Sequence, residues 1–153
     1  MSKFFIKTIS TFFYIGYFPL IPGTAGSVAA IFLFLLLKNN TSSYLITTAI
    51  LLSAGFLVSG EAEKLMRKTD PPCVVIDEVC GMLVSLLFLP YDIKLVIIAF
   101  FIFRILDTLK PYPVGWFEKL KGGLGIMSDD IIAGLYTNII LQVVVSFACF
   151  KAS

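Results

Sequence analysis

Stretches of almost uninterrupted apolar residues, each set off by a short charged segment, leave this chain few ways to fold. The runs are Val28 to Leu37, Tyr44 to Ser59, Val74 to Leu89, Leu95 to Phe103 and Ile131 to Phe150. Of 153 residues, 58% are hydrophobic and 14% are charged, and the mean hydropathy is +0.95. A typical soluble domain has about 25% charged residues. Charge this sparse cannot cover a water-facing surface, so the chain belongs in a bilayer. Its length suits one domain, residues 1–153.

A helix needs about 20 apolar residues to cross a hydrocarbon core about 30 Å thick. Only the last run meets that alone; the others extend into flanking polar residues or cross a locally thinned region. Phe4 to Leu20 is apolar but interrupted by Lys7, Ser10 and Thr11, which suits a helix lying along the interface. The expected fold is therefore all-α: a polytopic helical membrane protein with four to five transmembrane helices and an N-terminal interfacial helix. No cleavable signal is expected, because lysines punctuate the N-terminus and no small-residue cleavage site follows an apolar core.

The basic residues suggest an orientation. With the five runs taken as crossings, Lys3, Lys7, Lys64, Arg67, Lys68, Arg104, Lys110, Lys119 and Lys121 share one side. Only Lys38, Lys94 and Lys151 occupy the other. Basic residues of short loops stay in the cytoplasm, so the first side is expected inside and the C-terminus outside. A sixth, N-terminal crossing would weaken this bias.

Several chemistries are excluded. A dispersed net charge of +2 does not suggest nucleic acid. Cys73, Cys80 and Cys149 lack paired spacing and histidine companions, so apolar filling suits them better than a disulfide or zinc site. The chain has no histidine, which removes Ser-His-Asp hydrolysis and phosphatases with a histidine nucleophile. A cysteine phosphatase needs arginine six residues after its nucleophile, where Cys73 has Val79 and Cys80 has Leu86. What remains is carboxylates, basic side chains, hydroxyls and a metal.

Seven of the ten acidic residues, Asp70, Asp77, Glu78, Asp107, Glu118, Asp129 and Asp130, fall in the two large inside loops or at the bordering helix ends. Carboxylates within membrane segments are costly, and a functional site is the default explanation for them. Asp77 and Glu78 sit together in Val74-Val75-Ile76-Asp77-Glu78-Val79-Cys80-Gly81, expected to lie inside an apolar helix. Gly81 would admit a neighbouring backbone there. A structural ion pair with Arg104 or a lysine is the alternative. Arg104, Asp107 and Lys110 form a polar stripe at i, i+3, i+6 before Pro111 ends the helix, as a site for metal and phosphate or as a salt-bridge ladder.

Gly122-Gly123-Leu124-Gly125 reads as a glycine loop, with Ser128 as N-cap and Asp129 and Asp130 in the first turn of the last helix. That helix continues Asp130, Gly134, Asn138, Gln142 at i+4 steps, a small and polar stripe suited to helix packing. Pro22-Gly23-Thr24-Ala25-Gly26-Ser27 reads as a Gly-rich turn feeding a helix, able to offer amides to an anion, though such turns often only turn. Asp77, Glu78, Asp107, Asp129 and Asp130 thus form an oxygen-only donor set, the kind that suits Mg²⁺.

The segments Asp70-Pro71-x-x-Val74-Val75-Ile76-Asp77-Glu78-Val79-x-Gly81, Phe103-Arg104-x-x-Asp107-x-x-Lys110-Pro111 and Gly122-Gly123-x-Gly125-Ile126-Met127-x-Asp129-Asp130-x-x-Ala133-Gly134 closely resemble the bacterial phosphatidylglycerophosphatase A family. Pro22-Gly23-Thr24-x-Gly26-Ser27 resembles its N-terminal motif. The resemblance implies Mg²⁺-dependent hydrolysis of phosphatidylglycerophosphate to phosphatidylglycerol and phosphate in a bacterial inner membrane, at the cytoplasmic face. In that light Asp77, Asp107, Asp129 and Asp130 would ligate Mg²⁺, and Glu78 would ligate it or act as general base. Arg104 and Lys110 would hold the phosphate, helped by the Thr24 to Ser27 amides. No oligomeric state follows.

Two other classes fit a membrane carboxylate set. A Mg²⁺-dependent headgroup transferase would show an Asp-Gly start followed by aspartates at four-residue spacing, which is not seen. A cation carrier would place its acids near the midplane, whereas these gather on one side.

Overall fold

The computed structural model describes residues 1–112, 114–117, 120 and 122–152, without the side chains of 148–152. Glu118, Lys119 and Lys121, counted above, lie outside the described residues, as do the side chains of Cys149 and Lys151. Among the described residues the fold is all-helical: α1 (Lys3–Ser10), a 3₁₀ turn (Ile15–Tyr17), α2 (Pro22–Leu37), α3 (Thr41–Met66), α4 (Ile76–Ser85), α5 (Ile93–Leu109), α6 (Val114–Phe117) and α7 (Gly123–Ala152).

Two of these helical stretches, Thr41–Met66 and Gly123–Phe147, are long and apolar enough to cross a bilayer, which fits a membrane protein. The others are shorter. At 1.5 Å per residue, the 16 residues of α2 span about 24 Å and the 17 of α5 about 26 Å. The ten of α4 reach only about 15 Å, so the Val74 to Leu89 run is not one crossing helix.

Helix α4 is instead enclosed by the others, with nine of its ten residues buried. Val79, Met82 and Leu83 join Phe103 of α5, Ala133 and Leu141 of α7 and Ala30 of α2 in one core cluster. Its close approach to α7 rests on two glycines. A Cβ on Gly134 would strike the Gly81 carbonyl, and one on Gly81 would lie 2.6 Å from the Asp130 carbonyl and 2.7 Å from the Phe103 ring. Small residues let backbones meet where no hydrophobic force drives helices together.

A helix that ends inside an apolar body leaves carbonyls that must find donors. The i+4 stripe of α7 supplies them. Asn138 Nδ2 donates to the Ser85 carbonyl (3.1 Å) and the Leu87 carbonyl (2.7 Å), and Gln142 Nε2 donates to Leu87 (3.2 Å). From α3, the Tyr44 hydroxyl donates to the Leu83 carbonyl. The chain then turns through Phe88 at positive φ and Pro90, which has no amide to extend a helix.

Helices α2, α4 and α7 begin at one end of the molecule, where α3 and α5 finish. Lys3 and Lys7 border a hollow with Leu65 and Met66 at that end. At the far end Lys38 stands 3.4 Å over the Tyr91 ring.

The N-terminal helix is shorter than the apolar stretch to Leu20 suggests. The Thr11 hydroxyl donates to the Lys7 carbonyl (2.8 Å) and accepts from the Tyr14 amide (3.1 Å), the kind of side-chain bonding that competes with helix. Phe12, Phe13 and Tyr14 follow at positive φ. The turn is tied to the start of α4, where the Val75 amide donates to the Ser10 carbonyl (2.9 Å).

Asn138→Leu removes two donors from buried carbonyls, an expected loss of about 1–3 kcal/mol. Thermal unfolding in detergent micelles should show a lower midpoint than for Ile139→Leu, a change at an exposed position. Equal midpoints would mean that other donors satisfy Ser85 and Leu87.

Candidate active site

The glycine-rich segment after Leu20 is the start of α2 itself rather than a turn before it. Pro22 occupies the first position, where a missing amide costs nothing, and the first intrahelical bond runs from the Ala25 amide to the Ile21 carbonyl (3.0 Å). The preceding amides of Gly23 and Thr24 are therefore of the kind a helix N-terminus offers to anions. Glycine at 23 has a steric cause: a Cβ there would overlap the Glu78 carboxylate and lie 3.3 Å from Arg104 Nη1.

Helix α4 begins one residue before Asp77, so the acidic pair lies in its first turn rather than within a longer helix. Asp77 Oδ1 accepts from the Glu78 amide (3.0 Å). The last helix also begins earlier than Ser128. It starts at Gly123, a position where a side chain would meet Gly60 of α3 (3.0 Å to its amide nitrogen) and the Phe56 carbonyl (2.8 Å). Only Gly122 keeps the positive φ of a loop glycine (65°). Ser128, Asp129 and Asp130 fall in the second turn, which turns both aspartates inward, and both are buried.

These helix ends enclose a cavity of about 290 Å³ lined by Asp77, Glu78, Arg104, Asp107, Lys110, Asp129 and Asp130. Gly23 and Thr24 close one side, and Asp70, Pro72 and Val74 another. Ser27 does not reach it: the side chain is fully buried and its hydroxyl donates to the Gly23 carbonyl of its own helix (3.0 Å). Asp70 is the one added acidic lining residue. The cue for it was Asp-Pro-Pro, which punctuates the chain at that point, and Asp70 takes a positive φ of 44°.

The five carboxylates divide by partner. Asp77, Glu78 and Asp130 bring one oxygen each to within 4.8 Å of one another. Asp107 Oδ2 instead lies 2.7 Å from Arg104 Nη1, as an ion pair whose N–H makes no aligned hydrogen bond. Lys110 leaves the expected stripe because its backbone turns left-handed at the end of α5 (φ 44°), and its ammonium donates to Asp129 Oδ2 (2.9 Å). The salt-bridge ladder, the alternative reading of this stripe, is thus split between α5 and α7.

Glu78 Oε2 and Asp129 Oδ1 are buried and accept no hydrogen bond. Buried charged oxygens without partners are costly, and three carboxylates this close repel one another. A cation among Asp77, Glu78 and Asp130 relieves the repulsion, and an all-oxygen donor set fits a hard divalent ion. The residues present therefore fit such a metal.

Fold and cavity together define a class: helical membrane proteins that bring clustered carboxylates and two basic side chains to one polar end of an apolar bundle. Within it, the chain belongs to the phosphatidylglycerophosphatase A family, whose model matches residues 8–145, and it is a phosphoric monoester hydrolase. It is 40% identical over 129 residues to the Phosphatidylglycerophosphatase A of Escherichia coli (strain K12), covering 82% of this chain and 75% of that one. The Haemophilus influenzae protein of the same name is 35% identical over 124 residues, 78% and 76% of the two chains. A Bacteroides thetaiotaomicron protein, provisionally named a phosphatidylinositol-3-phosphatase, is 39% identical over 144 residues, 88% and 90%. No solved structure matches the chain.

Gly23→Ala should displace Glu78 and Arg104 together and lower phosphate release at least about tenfold, the equivalent of about 1.4 kcal/mol in the barrier. Unchanged turnover in the purified variant would show that the two side chains can shift without consequence.

Proposed function

We propose that this protein hydrolyses phosphatidylglycerophosphate to phosphatidylglycerol and inorganic phosphate, with Mg²⁺ bound among its carboxylates. The observation that carries the proposal is the confluence in one cavity, at the polar end of the bundle, of six carboxylates, three of them clustered, with two basic side chains. A phosphate monoester dianion needs positive charge around it, and Arg104, Lys110 and a divalent ion supply it. The family membership points to the same lipid headgroup.

Asp77, Glu78 and Asp130 would hold the ion. Bound there, Mg²⁺ would neutralise phosphate charge and make a water molecule more acidic. Asp107 and Asp129 act through their cations, fixing Arg104 and Lys110 towards the phosphate. The Thr24 hydroxyl and the first amides of α2 bind another phosphate oxygen. Glu78, with Oε2 unpartnered, accepts the proton as water attacks phosphorus. The P–O bond to the glycerol oxygen breaks, and that oxygen takes the proton held by Glu78 and leaves as the hydroxyl of phosphatidylglycerol. Direct attack by water is preferred to a phospho-aspartate, since the Asp-x-Asp pattern of aspartyl phosphatases is missing from the sequence.

In the proposed topology α2, α3, α5 and α7 cross the inner membrane, and α4 with its following turn completes a fifth passage. The site then lies at the cytoplasmic face, on the side that carries Lys3, Lys7, Lys64, Arg67 and Lys68. The Bacteroides relative supports a second reading, removal of phosphate from a phosphoinositide headgroup.

Phosphate release from phosphatidylglycerophosphate and from phosphatidylinositol 3-phosphate, measured in mixed micelles with Mg²⁺ or EDTA, separates these readings. The first substrate should be favoured, EDTA should abolish release, and Asp77→Asn and Asp129→Asn should each lower it by at least about a hundredfold, leaving folded protein in the membrane. Preference for the phosphoinositide would replace the substrate assignment, and full activity in EDTA would remove the metal.

A further inference from the structure

A second cavity, of about 380 Å³, runs along the outer face of α2. Ala25 and Ala29 form its floor, and Phe18 and Phe32 stand at its sides, 55% and 64% exposed. Thr24 is the one polar residue that lines it. Ile21 and Thr24 also line the carboxylate cavity, so the apolar groove and the polar site lie side by side at the start of α2. From Ile21 to Phe32 the helix advances 11 residues, about 16 Å. One leaflet of a hydrocarbon core about 30 Å thick is about 15 Å deep.

We propose that this groove binds an acyl chain of the lipid whose phosphate occupies the carboxylate cavity. The inference rests on the lipid phosphatase reading and adds the element that selects a membrane-anchored substrate over a soluble phosphate ester. The polar end of α2 holds the headgroup at the interface, while the same helix guides one chain along the leaflet. The alanine floor leaves the width that the chain fills; larger side chains at 25 or 29 would close it.

Ala29→Trp fills the groove without entering the polar cavity. Each methylene removed from an apolar contact costs roughly a factor of four in affinity, so losing two lowers kcat/KM for a dipalmitoyl substrate about tenfold or more. The dihexanoyl substrate, too short to reach Ala29, should keep its kcat/KM. An equal loss on both substrates, or none on either, overturns the proposal.

A second measurement needs no turnover. A non-hydrolysable phosphonate analogue of the lipid, with a diazirine in its acyl chain, is crosslinked to the wild-type protein in vesicles and the labelled peptides are mapped. Label on residues 18–32 that is displaced by unlabelled lipid phosphonate, but not by neutral lipid, supports the groove. That result together with absence of phosphate release from any substrate would sink the assigned reaction and leave the groove standing. Label displaced equally by neutral lipid would mean bulk membrane lipid only, and would overturn it.

Discussion

The contact between Gly81 and Gly134 sets the arrangement of everything around it. With no Cβ on either residue, α4 lies backbone to backbone against α7. That separation also brings Asn138 and Gln142 within reach of the carbonyls at the end of α4. At its other end it presents Asp77 and Glu78 to Asp130, one turn before Gly134. The close approach therefore serves both ends of α4. It satisfies polar backbone in an apolar body and concentrates negative charge where a cation can hold it.

The two halves of the cavity have different electrostatic characters. Asp107 and Asp129 already face Arg104 and Lys110, and such pairs orient the cations as much as they neutralise the acids. Asp77, Glu78 and Asp130 lie within 4.8 Å of one another, with Arg104 beside Glu78 at the start of α2. A phosphate monoester bound between the halves would meet fixed cations on one side and clustered carboxylates on the other. This division follows from the left-handed turn at Lys110, which takes its ammonium off the α5 stripe and across to α7.

Helix α2 has two uses because its composition changes along its length. Its first turn, Pro-Gly-Thr, is small enough for Glu78 and Arg104 to press against it, and beyond it the outward face is alanine flanked by phenylalanine. A polar anchor and an apolar track on a single rigid element keep the headgroup and chain of an amphiphile in fixed relation. Ser27 belongs to neither, since its hydroxyl is spent on the Gly23 carbonyl.

The helical class, the polar stripe of α7 and the five acidic positions were legible in the sequence, because charge and amide groups amid apolar runs are costly unless they have a task. Periodicity was enough to show that Asp130, Gly134, Asn138 and Gln142 share one face. Local pattern could not show that α4 is enclosed and short, since an apolar run reads alike whether lipid or protein surrounds it. The need for glycine at 123 depends on Gly60 across the interface, and the exclusion of Ser27 depends on which way α2 faces. The sequence alone determined which groups had to be kept from lipid. Only the tertiary structure decided which partners keep them so, because that pairing depends on distances between helices far apart along the chain.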